Sequence, residues 1–65
     1  MTRQHYNRFA AMFAGEVAMA RGEVAREVVV RGIILSTADI MAQDNERFNR
    51  EAFYQASGLT ADGRF

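Results

Sequence analysis

His5 is the single histidine of the chain, and imidazole is the side chain best suited to proton transfer near neutral pH. General-base work would also need a nucleophile beside it and a third group to orient the ring. Its sequence neighbours Arg3, Tyr6 and Arg8 supply neither, so an exposed or helix-capping role is expected. Carboxylates are the next candidates. Glu23 and Glu27 are one helical turn apart, and Asp39 and Asp44 share a face if their helix extends far enough. Paired carboxylates share a proton or hold a cation only where other groups complete a pocket. No second cluster is present to do so, and these read as solvated surface charges. There is no glycine-rich phosphate loop, no Ser-His-Asp set and no Glu-x-x-His pair. With no cysteine, disulfides and cysteine-based zinc sites are excluded. The expectation is no catalytic residue, no metal ligand, no cofactor and no enzyme.

Arg47 and Arg50 are the remaining pair with a chemical reading. They stand near the start of a short C-terminal helical segment. A preceding helix and a turn would complete a helix-turn-helix with both guanidinium groups facing phosphate. Against this, Glu46 and Glu51 offset the two charges. Phe53 and Tyr54 also occupy places where polar, base-reading side chains would be expected. Eight acidic residues balance eight basic ones, so the chain as a whole has no general attraction to nucleic acid or anionic lipid. Every one of the eight cations is arginine. A small dimeric DNA-binding regulator using Arg47 and Arg50 is therefore the alternative reading, not the first.

The elements that would position these groups are helical. Proline is absent, so glycine must provide the punctuation. Tyr6, Phe9, Ala10, Phe13, Val17 and Ala20 recur at helical spacing and predict a first helix over residues 3–20, with Thr2 as N-cap. Gly22 suits its end. A second, longer helix is predicted over residues 23–43. Val29, Val30, Ile33, Ile34, Thr37, Ile40 and Met41 share one broad apolar arc, and Glu27 precedes Arg31 at the spacing of a helical ion pair. A hairpin turning at Arg31-Gly32 competes, because valine and isoleucine crowd both sides. The lack of strict alternation and the helical repeat from Ser36 to Gln43 favour the helix. The third helix, residues 50–57, is announced by Asn49 as N-cap, a Phe48–Phe53 staple and a closing Gly58. Residues 1–58 form the expected helical domain, and residues 59–65 a flexible tail.

The stretch Asp44-Asn45-Glu46-Arg47-Phe48-Asn49-Arg50, followed by Phe53 and the Ala56-Ser57-Gly58 stop, resembles the ending of small uncharacterised actinobacteriophage proteins. The opening Met1-Thr2-Arg3 with Tyr6 resembles their start. Glu46 stands where those proteins usually have proline, and Asn49 where they usually have aspartate. The resemblance covers about the first six residues and the last third of the chain. It implies a phage origin and a host-cytoplasm setting, with a host protein as a possible partner. It transfers no catalytic residue.

Sixty-five residues bury only a thin core and leave little room for an enclosed pocket of about 300 Å³. Without disulfide or metal, self-association is the remaining support for so small a fold. Val24, Val28, Leu35 and Ala42 lie outside the main apolar arc of the second helix and are the expected interface. The fold class expected is an all-α three-helix domain with a long central helix, completed by self-association, with a dimer favoured. No apolar run reaches the roughly 18 residues of a membrane span, and the first residues lack a secretory signal, so a cytoplasmic protein is expected.

Overall fold

A computed structural model describes residues 2–65. Three helices follow one another: α1 over Arg3–Ala20, α2 over Val24–Asp44 and α3 over Arg50–Ala56. The architecture is all-α, and no strand occurs among the described residues. Arg31 and Gly32 lie inside continuous α2, which sets aside the hairpin reading.

Local chemistry fixes the helix ends. Thr2 is the N-cap of α1, its N–H donating to Nδ1 of His5 at 3.2 Å. The imidazole thus takes the place of the usual glutamate in a capping box. Gly22 adopts φ +94° at the α1–α2 turn, a conformation glycine enters without steric penalty. Its N–H donates to Oε2 of Glu27 at 2.8 Å. Glu27 therefore secures the turn, and the ion pair expected with Arg31 is replaced by separate partners for each. At α3 the Asn49 side chain accepts from Ala52 N–H at 3.0 Å, and the Phe48 and Phe53 rings meet with centroids 5.4 Å apart. The cap and staple read from the sequence are both present.

The core is built along the inner sides of the helices. Ala10, Phe13 and Val17 of α1 cluster with Ile34, Ala38 and Met41 of α2, with Phe53 and Tyr54 of α3 closing one side, and Ala20 is buried at the end of α1. The Tyr6, Phe48, Phe53 and Phe13 rings run in a chain of edge and tilted contacts with centroid spacings of 5.1–6.2 Å. Such pairs add to the area they bury.

Residues 59–65, expected to be a loose tail, are laid against the helices. Leu59 and Gly63 are buried, and Phe65 packs at the margin of the core. Arg31 donates from Nε to the Gly63 carbonyl at 2.6 Å, and Arg21 sits over the Phe65 ring at 5.7 Å. The reason is steric as well as polar. Gly63 has φ +78°, and a Cβ there would lie 2.9 Å from Leu35 Cδ2 and 3.3 Å from Tyr54 Cε2. Only a residue without a side chain lets the backbone approach that closely. Gly63→Ala should therefore lower unfolding stability by about 1–2 kcal/mol from the backbone conformation alone, with the Leu35 contact adding to it. Urea unfolding measures this; an unchanged midpoint would show that the tail contributes no packing.

Candidate interaction surface

The candidate chemical residues are tied into local structure. His5 serves the α1 cap. Glu23 pairs with Arg26 at 2.9 Å, Glu27 holds Gly22, and Asp39 pairs with Arg50. No group of three or more His, Asp or Glu side chains among the described residues stands close enough to hold a metal ion. Among the described residues no helix is long and apolar enough to cross a membrane.

Arg47 and Arg50 turn to different neighbours. Arg50 reaches back to Asp39 on α2, and that hydrogen bond, with a smaller one to Tyr54, raises its pKa above the ordinary arginine value. Arg47 lines a cleft against α1. The two cations do not form the paired phosphate grip that the helix-turn-helix reading requires.

The expected interface residues also separate. Val24 and Val28 are exposed, Val28 by 66 %. Leu35 and Ala42 are half-buried, Leu35 under the Gly63 turn and against the core. The larger exposed apolar surface lies on the other flank of α2. Val29, Ile33 and Ile40, expected to point inward, are more than half exposed, while Ile34, Ala38 and Met41 occupy the centre of the buried side at 0 %. On α1, Phe9, Met12 and Met19 (the last 70 % exposed) occupy one flank by the same helical spacing. Met19 and Val29 face each other across a groove of about 390 Å³ between the two helices. α3 lies on the opposite flank of α1, with Tyr6, Asn7 and Ala10 lining the cleft between them. The six side chains therefore belong to the side of the helix pair that α3 leaves open.

These residues were missed for a definite reason. Apolar side chains occur nearly all round α2, so spacing alone does not say which arc faces inward. The usable signals were Ala38, small enough to mark a close helix approach, and Met12 and Met19, two turns apart and off the aromatic stripe of α1.

A second cleft, of about 490 Å³, lies where the α2–α3 connection and α3 meet the start of α1. It is a surface groove instead of an enclosed cavity, formed because the short α3 spans only part of α1. Tyr6 lines it, and the Tyr6 hydroxyl is buried with no hydrogen-bond partner among the described residues. An unpartnered buried hydroxyl costs about 1–3 kcal/mol. Tyr6→Phe keeps the ring packing and should raise stability by about 1 kcal/mol. A fall in the thermal midpoint would reveal a partner for that oxygen. No family model, curated protein or solved structure matches this chain.

Proposed function

We propose that the chain is a non-catalytic helical interaction module that associates with a second copy of itself through the open side of the α1–α2 pair. The observation that carries this reading is the apolar face formed by Phe9, Met12 and Met19 with Val29, Ile33 and Ile40. Full burial of one such side chain is worth about 1.5–3 kcal/mol. Covering the exposed halves of six would therefore contribute about 5–9 kcal/mol per copy. Association itself costs about 4–15 kcal/mol in lost freedom and side-chain ordering. Two faces together exceed most of that range.

The geometry supports a modest dimer. Two helices about 27 Å long and packed about 10 Å apart present a face on the order of 500 Å². A two-fold pair would bury about 1,000 Å², at the lower edge of specific interfaces. Association in the micromolar range is the consequence. The resemblance of the two chain ends to actinobacteriophage proteins adds a setting, the cytoplasm of an infected host. There such a face would serve equally to engage a host protein.

Sedimentation equilibrium tests this directly. The wild-type chain should show twice the monomer mass at high micromolar concentration. Ile33→Asp should return it to monomer with its helical circular dichroism intact. Leu35→Asp should instead unfold the chain, because Leu35 lies under the Gly63 turn. A wild-type chain that stays monomeric at millimolar concentration would defeat the proposal.

A further inference from the structure

The cleft between α1 and α3 differs in chemistry from the apolar face on the other flank of α1. The chain is electrically balanced overall, yet none of the residues lining this cleft is acidic, and Arg3 and Arg47 both are cationic.

The amides add to the same polarity. Asn45 and Asn49 each use the side-chain oxygen internally, accepting at 3.0 Å from the N–H of Arg47 and of Ala52. That fixes the orientation of both amides and leaves their NH₂ groups as donors without a partner among the described residues. Asn7 lines the facing wall. Donors thus outnumber acceptors. The floor is apolar, supplied chiefly by Phe48, Phe53 and the small side chains of Ala10 and Ala52. A volume of about 490 Å³ is within the range of small-molecule sites.

We propose that this cleft binds a small organic anion, a carboxylate or phosphate carried on a flat apolar body. The anionic oxygens would lie between Arg3 and Arg47 and accept from the asparagine amides. The apolar body would rest on Phe48 and the alanines. Charge-assisted hydrogen bonds are stronger than neutral ones, and Arg matches carboxylate and phosphate oxygens in a fork. Selectivity for an anion over a neutral molecule of the same shape follows.

The test is an amide NMR titration of the full chain with benzoate, with phenyl phosphate and with benzamide as the neutral counterpart. At least one anion should give saturable shifts confined to residues 3–10 and 45–53, with benzamide about tenfold weaker. The tighter of the two anions identifies the headgroup. Arg3→Gln combined with Arg47→Gln should weaken binding about tenfold or more while leaving the rest of the spectrum in place. Arg26→Gln, outside the cleft, should leave affinity unchanged. Equal binding of benzamide, shifts centred instead on the Met19–Val29 groove, or an unaltered affinity in the double variant would overturn the proposal.

Discussion

Coverage is the constraint on which the rest of this structure depends. α1 and α2 are 18 and 21 residues long, whereas α3 has seven. At 1.5 Å per residue the first two span about 27 and 32 Å, and the third about 10 Å. One short helix and a few further residues can shield one flank of that pair and no more. The inner side accordingly carries Phe13, Val17, Ile34 and Met41, with Phe53 and Tyr54 as the lid. The opposite flank is left with methionine, valine and isoleucine in water. Both surface features, the open apolar face and the cationic cleft, follow from where α3 stops.

The last seven residues extend the shield along α2. Ser57 is buried, and its hydroxyl donates to the Phe53 carbonyl at 2.8 Å, so the end of α3 leaves no orphan donor there. Gly58, at φ +92°, redirects the chain, and Leu59 drops into the core. Arg31 then holds Gly63, and Gly63 lies on Leu35 and Tyr54. This explains why Leu35 is half-buried while Val28, two turns earlier on the same flank, is not. The chain reaches Arg31 and Arg21 with its last residues and leaves Val24 and Val28 uncovered.

Much of this was legible in the residues wherever the governing physics is local. The α1 stripe, the Thr2 cap, Gly22, Asn49 and the Phe48–Phe53 staple each act within a few residues, and each marks its helix correctly. The rotation of α2 was not legible, because it is decided by packing across helices. Helical spacing puts Ile33 and Ile40 on the apolar arc with Ile34 and Met41, but Ala38 sits at the contact and turns both outward. The order of the tail is hidden for a related reason. Glycine and polar residues near a terminus signal disorder by composition, whereas Gly63 is there to admit a close approach to Leu35. Its bond to Arg31 spans half the chain and has no local signature. The cleft was invisible because Arg3 and Arg47 come together only through the fold.

The functional account rests on the flank that α3 leaves bare being open in a lone copy and closed in a pair. Methyl resonances of Met12, Met19 and Met41, read with a soluble paramagnetic agent over a range of protein concentrations, report on both conditions at once. The account predicts Met12 and Met19 strongly broadened in dilute solution and progressively protected as concentration rises, with Met41 protected throughout. Met12 and Met19 protected even at the lowest concentration, or still broadened at the highest, would contradict it.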